Sequence, residues 1–236
     1  MADKIIHTVL GGITAEGVRH EGEILVIGLG RFGSSLAHTL VEMGYDVLGV
    51  DGDPERVQEH AGALTHVVQA DATSERALRQ LGAAETVTAA VCIGTDIESS
   101  VLSTTLLVDL GVRNIWAKAI TSAHGRILER VGAHHVVYPE AEMGNRVAHL
   151  LTGSMLEYIA LDENFVLVET RVPRKVVGMT LGEASLRARF RVTVVCIKPE
   201  HGAFTYAERD TVLGEHDLVV VAGHRTDVEH FAESSR

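Results

Sequence analysis

Gly28, Gly30 and Gly33 stand in the spacing G-x-G-x-x-G at the end of the apolar run ILVIG and at the opening of the amphipathic segment SSLAHTLVEM. Few folds accept that spacing. A strand must run into a tight turn and on into a helix, and the next apolar run, DVLGVD, must return as a strand, with Asp51 closing it 18 residues after the last glycine. Each glycine has a physical task here. Gly28 permits the turn, Gly30 lets the backbone approach a pyrophosphate, and Gly33 allows the helix to pack closely on the strand. The helix start offers free N–H groups and a partial positive charge to phosphates. Asp51 can accept hydrogen bonds from both ribose hydroxyls and would repel a 2′-phosphate, which disfavours NADP. The layout is that of an adenine-nucleotide site, and by itself it does not separate NAD from ADP or ATP.

Further candidates surround this turn. Arg31 and Phe32 lie within it. The planar fork of an arginine suits a phosphate chain, although an exposed arginine at a helix start is also common. Asp71, Ala72 and Thr73, in QADAT at the end of the third apolar run, lie where an adenine would rest, and Gly94 ends the fourth run. Asp71 reads equally well as a helix cap, a role Thr73 could fill. Asp53, followed by Pro54, reads as an N-cap before a first-turn proline more than as a ligand.

From residue 24 to about 138, six apolar runs (ILVIG, DVLGVD, HVVQAD, TAAVCIG, NIWAKA, HHVVYP) alternate with amphipathic segments. Strand–helix alternation of this kind implies right-handed crossovers and a doubly wound parallel sheet covered on both faces. Gly44 marks the end of the first helix, whose Leu36, Leu40 and Met43 are expected to face the sheet. The segment IESSVLSTTLLVDLG is apolar nearly all round and is expected near a subunit interface. The chain is expected to divide into an extension (1–22), the nucleotide-binding domain (23–138), a connector helix (139–153) and a small α+β domain (154–236). In that last domain Thr180 and Glu183 form a capping-box pattern, and Val192, Val194, Val195 and Ile197 are expected in a sheet core.

Composition narrows the function. With 21 basic against 32 acidic residues the formal net charge is -11, which repels phosphate backbones and excludes nucleic acid as a natural partner. No apolar run approaches the ~20 residues that span a bilayer, and residues 1–22 lack the features of a secretory signal, so the cytoplasm is expected. Cys92 and Cys196 each lie in an apolar run and read as buried free thiols. His134 and His135, as sequence neighbours, would point to opposite faces of a strand rather than to one metal.

GLGRFGSSLAHTLVEMGYDVLGVD, HVVQADAT, IESSVLSTTLLVDLGVRNIWAKA and VYPEAEMGNRVAHLL together resemble the cytosolic RCK regulatory subunits of Trk/Ktr-type potassium transporters, from about residue 23 to the end of the chain. The resemblance implies a Rossmann-like nucleotide-binding domain followed by a small α+β C-terminal domain. It also implies a homo-oligomer, with dimers building an octameric ring, docked peripherally on the inner face of the cell membrane against a potassium-translocating subunit. ATP and ADP hold such rings in different shapes, and NAD or NADH is bound in some members. Arg31 matches an arginine that reaches the terminal phosphates across a dimer, Asp51 the ribose ligand, and Lys118 a lysine near the pocket. Glu140 matches a carboxylate that helps bind a cation (Mg, Ca or Na) beside the phosphates; in a helix first turn a carboxylate also gains ~0.3–1 kcal/mol from the dipole alone. Asp53 and Asp71 stand where the family often has asparagine. Similar C-terminal domains can bind cyclic di-AMP. The competing readings are an NAD-dependent oxidoreductase, for which no constellation of His, Lys, Tyr and Ser is evident in the C-terminal segment, and an NADH sensor acting on another partner.

Overall fold

All six apolar runs of the first half form strands, and all six run the same way. The computed structural model describes residues 22–151 and 155–235, so the expected extension lies, apart from Gly22, outside the described residues. The strands are β1 (Glu23–Ile27), β2 (Asp46–Asp51), β3 (His66–Gln69), β4 (Thr88–Val91), β5 (Asn114–Lys118) and β6 (His135–Val137). They pair in the order β3-β2-β1-β4-β5-β6, parallel throughout. Five helices connect them: α1 (Arg31–Glu42), α2 (Pro54–His60), α3 (Glu75–Gln80), α4 (Ile97–Asp109) and α5 (Ser122–Val131). This is a Rossmann-like doubly wound sheet.

Successive residues of a strand point to opposite faces, so a sheet covered on both faces needs apolar residues at every position. Leu25 and Ile27 of β1 accordingly pack in one core with Val50, Leu107 and Ile115, while Val26 packs in another with Ala37, Val47 and Leu64. Leu36 and Leu40 join that second core, but Met43 does not and is 53% exposed. The helix ends at Glu42 with Met43 as its C-cap, and Gly44 at φ +89 turns the chain immediately after it. On α4 the inward positions are the small residues Ser100, Ser103 and Thr104 with Leu107, which leaves the larger Ile97 and Leu102 at the surface. His134 and His135 make separate contacts: the Nδ1 of His134 accepts from Ile115 N at 3.1 Å, and the ring of His135 stacks on Trp116.

The chain divides into two compact units between Pro139 and Glu140. The second holds most of α6 (Pro139–Leu151) and a five-stranded antiparallel sheet, in the order β10-β9-β11-β8-β7. Its strands are β7 (Glu157–Ala160), β8 (Phe165–Arg171), β9 (Thr193–Lys198), β10 (Thr205–Tyr206) and β11 (Leu218–His224), and its shorter helices are α7 (Leu181–Ala184), α8 (Leu186–Phe190) and α9 (Arg225–Glu233). Arg146 of α6 grips Glu157 of β7 with two hydrogen bonds of 2.8 and 2.7 Å. Thr180 and Glu183 complete the capping box that starts α7. One core, built from Val166, Val168, Val219, Val221 and Phe231, lies under the sheet.

The β9–β11 pairing departs from the expected alternation. Val220 pairs with Cys196 and Val221 with Val194, so Val195 is the extra residue of a β-bulge. A bulged residue leaves the ladder and shifts the facing of its neighbours. Val192 and Ile197 are therefore buried and Val194 packs against the core, whereas Val195 is 47% exposed. The same irregularity leaves Cys196 half-buried rather than buried; Cys92 is fully buried, and both thiols are free. Replacing Ile197 by alanine is expected to cost about 2–5 kcal/mol, and Val195→Ala less than about 0.5 kcal/mol. Urea denaturation of the two variants checks this, and equal losses would contradict the bulge.

Candidate nucleotide site

Four of the five helices in the first unit begin on a side-chain cap: Asp53, Ser74, Asp96 and Thr121 each accept a hydrogen bond from the first turn that follows. α1 does not. Its N-cap is Gly30, with no side-chain oxygen to satisfy the N–H groups behind it. The first turn of a helix has N–H groups without intrahelical partners and carries a partial positive charge. At α1 these groups face the turn that the three glycines build.

The glycines are required for different reasons. Gly28 has φ +92, a conformation L-residues rarely adopt, and a Cβ there would come 3.1 Å from the backbone of Cys92 and Ile93. Gly33 presses on the same turn, since a Cβ there would overlap the carbonyl oxygen of Gly28 at 1.8 Å. Gly30 is under no such internal constraint. Its φ is -67, and the nearest atom to a Cβ would be Arg56 Nη1 at 4.0 Å. The protein's own packing would admit a side chain at Gly30, so the open space above it is available to a ligand.

The sheet order reverses direction between β1 and β4, and in such sheets the crevice lies beyond the carboxyl ends of the strands at that point. The structure gathers the candidates along that edge. Asp51 ends β2 and is buried; its Oδ2 accepts from Leu29 N at 2.7 Å and its Oδ1 from Asp53 N at 2.9 Å. Two backbone donors therefore fix the carboxylate beside the turn. Beyond β4, a Cβ on Gly94 would meet Lys118 Nζ at 3.1 Å, and that ammonium stands 5.7 Å from the centroid of the Phe32 ring. Phe32, Gly94 and the buried Lys118 thus form one group at the ends of β4 and β5. Arg31 is exposed at the first position of α1, and its guanidinium has no ion-pair partner among the described residues.

The third strand ends differently from expectation. Neither Asp71 nor Thr73 caps α3; Ser74 does, accepting from Ala77 N. Asp71 instead accepts from the hydroxyl of Thr73 at 2.6 Å and from its N–H at 2.9 Å, and these bonds, the hydroxyl first, hold its carboxyl below the usual aspartate range. Ala72 is buried in the core, which leaves its backbone for any ligand contact. Asp53 caps α2 through Glu55 N at 2.9 Å. Glu140 lies in the first turn of α6, in the second unit, and among the described residues no three His, Cys, Asp or Glu side chains converge as a metal cluster.

One site residue has no counterpart in the sequence reading. Arg56 of α2 reaches Asp51 Oδ2 at 3.4 Å and Asp53 Oδ2 at 3.6 Å while its Nη1 faces Gly30. Its i, i+3 spacing from Asp53 was the available signal.

Residues 24–139 match the TrkA-N domain and residues 166–235 the TrkA-C domain. Over 210 residues the chain is 36% identical to the Ktr system potassium uptake protein C of Bacillus subtilis (strain 168), covering 89% of this chain and 95% of that protein. The chain belongs to the Ktr potassium-uptake family. Ktr system potassium uptake protein A of the same organism is also 36% identical, over 211 residues, 89% of this chain and 95% of that one. The Vibrio alginolyticus protein A is 32% identical over 202 residues, 85% and 92% of the two chains. Among solved structures, the GsuK RCK domain superposes with a TM-score of 0.62 at 22% identity, over 92% of this chain and 48% of that one. That likeness is one of fold, and this Ktr-family chain spans about half of the GsuK chain.

In this Ktr-family chain the two helix-start glycines should behave oppositely. Gly33→Ala must push α1 off the turn and is expected to cost ~1–3 kcal/mol or more, whereas Gly30→Ala has room and an ordinary φ. Thermal melting separates them: a large loss for Gly33→Ala and almost none for Gly30→Ala is expected, and a comparable loss for both would mean that Gly30 serves the protein's own packing.

Proposed function

We propose that this Ktr-family chain is a nucleotide-sensing regulatory subunit of a potassium transporter and forms no bond in any substrate. The observation that carries the reading is the uncapped start of α1, open above Gly30 and flanked by the fixed Asp51 carboxylate and the exposed Arg31. ATP or ADP would lay its phosphates against those free N–H groups and its ribose against Asp51, with Asp71, Thr73 and Gly94 along the adenine side and Lys118 near the phosphates. NAD or NADH would fit the same turn, and a GsuK channel has been solved bound to NAD. The named Ktr relatives are potassium uptake proteins, which supports a membrane potassium-translocating partner.

No helix among the described residues is long and apolar enough to cross a membrane. In this reading the chain lies peripherally on the inner face of the membrane, as a homo-oligomer whose dimers build an octameric ring. The exposed Ile97 and Leu102 of α4 supply apolar surface for subunit contact. Regulation then follows from linkage. A nucleotide shifts a ring between two shapes only by the difference of its affinities for them, typically ~1–3 kcal/mol. The γ-phosphate of ATP, held between Arg31 of one subunit and a cation (Mg, Ca or Na) at Glu140, would supply that difference, and ADP lacks it. Cyclic di-AMP at the C-terminal domain would be a second input.

Parallel calorimetric titration of the full chain with ATP, ADP and NADH tests the reading. At least one adenylate is expected to bind. Arg31→Ala is expected to shrink the ratio of ATP to ADP affinity by roughly 5-fold or more. An unchanged ratio would remove the phosphate bridge. Loss of the whole reading would follow from no binding by any adenylate, or from turnover of a small alcohol or hydroxy acid with NAD.

A further inference from the structure

We infer that Arg56 is a second phosphate-binding arginine of the nucleotide site, one that leaves the ribose carboxylate and closes over the pyrophosphate when the ligand enters. The inference rests on the nucleotide reading above and adds a residue to it.

Four observations support this. First, position: Arg56 Nη1 is the nearest atom to a Cβ built on Gly30, at 4.0 Å, so this guanidinium borders the part of the turn that the protein's own packing leaves open. A phosphate laid against Gly30 and the first N–H groups of α1 would come within reach of it. Second, loose restraint: its contacts to Asp51 (3.4 Å) and Asp53 (3.6 Å) are longer than the ~2.7–2.9 Å of a well-formed charge-assisted bond. By contrast, Leu29 N and Asp53 N bond Asp51 at 2.7 and 2.9 Å. A ribose hydroxyl arriving at Asp51 would therefore displace the arginine, not the backbone donors. Third, spare donors: among the described residues nothing accepts from Nη2 of Arg56, which leaves its two N–H groups for phosphate oxygens. Fourth, freedom to move: the side chain is 45% exposed and, among the described residues, is tethered by those two long contacts alone.

Ribose and phosphate recognition are thereby coupled. Arg56 stands beside Asp51 and Asp53 at 3.4 and 3.6 Å. When the ribose takes Asp51, the released guanidinium forms short bonds to the pyrophosphate. Adenosine can collect the first effect but not the second.

The test is calorimetric titration of the wild-type chain and the Arg56→Ala and Arg56→Lys variants with ADP, NAD, NADP and adenosine, with thermal melting to establish that the variants fold. For Arg56→Ala, ADP and NAD affinities are expected to fall ~10-fold, with adenosine affinity unchanged or slightly higher because Asp51 is freed. Arg56→Lys, which keeps the charge but not the fork, should recover part of the loss. An equal fall for ADP and adenosine would show that Arg56 only positions Asp51 and would overturn the inference. So would unaltered ADP affinity, or a loss confined to NADP, which would place the arginine at the ribose 2′ position. In all three of those outcomes the wild-type chain still binds adenylates, so the nucleotide reading survives; wild-type protein that binds none of them takes down both.

Discussion

The close seat of α1 against the first turn is the contact on which the site depends. Because Gly33 has no Cβ, the helix comes down onto the carbonyl oxygen of Gly28, and the chain can pass from β1 into α1 through a turn only a few residues long. Any side chain at Gly33 would lift the helix, and its free N–H groups would then point elsewhere. The sheet order supplies the rest. β2 and β3 lie on one side of β1, and β4, β5 and β6 on the other, so connections leave in opposite directions and a crevice opens above the turn. Asp51 and Lys118 end β2 and β5 and Gly94 follows β4, yet they border one space because parallel strands end on one edge.

An acidic chain that holds a phosphate ligand must concentrate its cations locally. The formal charge of -11 works against anion binding at long range, but salt screens exposed charges beyond ~8 Å at physiological ionic strength. Nearby groups therefore decide. Arg31 at the helix start, Arg56 over Gly30 and Lys118 beside Gly94 answer the carboxylates of Asp51, Asp53 and Asp71. Two of these aspartates are already committed to structure: Asp53 caps α2, and Asp71 is turned into its own loop by Thr73. Their negative charge is thus directed partly at the backbone.

Most of this architecture could be read from residue order, because a strand buried on both faces shows itself as an unbroken apolar run. The strands of the first unit, the cap at Asp53, the stop at Gly44 and the capping box at Thr180 are all local features. The misreadings arise where structure is a property of two segments at once. Val195 looks like a core valine, and only its pairing with β11 makes it a bulge. Met43 continues the helical spacing, yet the helix has already ended. Asp71, Thr73 and Ser74 are all good caps, so propensity could not choose among them; the backbone chose Ser74. Arg56 resembles any solvated arginine on a short helix until α2 folds back beside the end of β2.

Binding and chemistry call for different treatment of reactive groups, and the edge of this sheet treats them as a binding site would. Cys92 follows β4 next to the crevice, but burial pushes its thiol up to about 12 despite the nearby Lys118 charge, so it stays protonated and unreactive at neutral pH. His124, in the first turn of α5, is buried with its Nδ1 accepting from Ile120 N, and burial lowers its pKa from the usual histidine value. A nucleophile or general base must reach a substrate and exchange its proton near the working pH. The Cys92 thiol, at about 12, does not. What the crevice presents instead are fixed donors and acceptors: N–H groups, a clamped carboxylate and charged side chains on movable stems. In the proposed function such groups would distinguish ligands by phosphate count and shape, which is the discrimination a sensor needs.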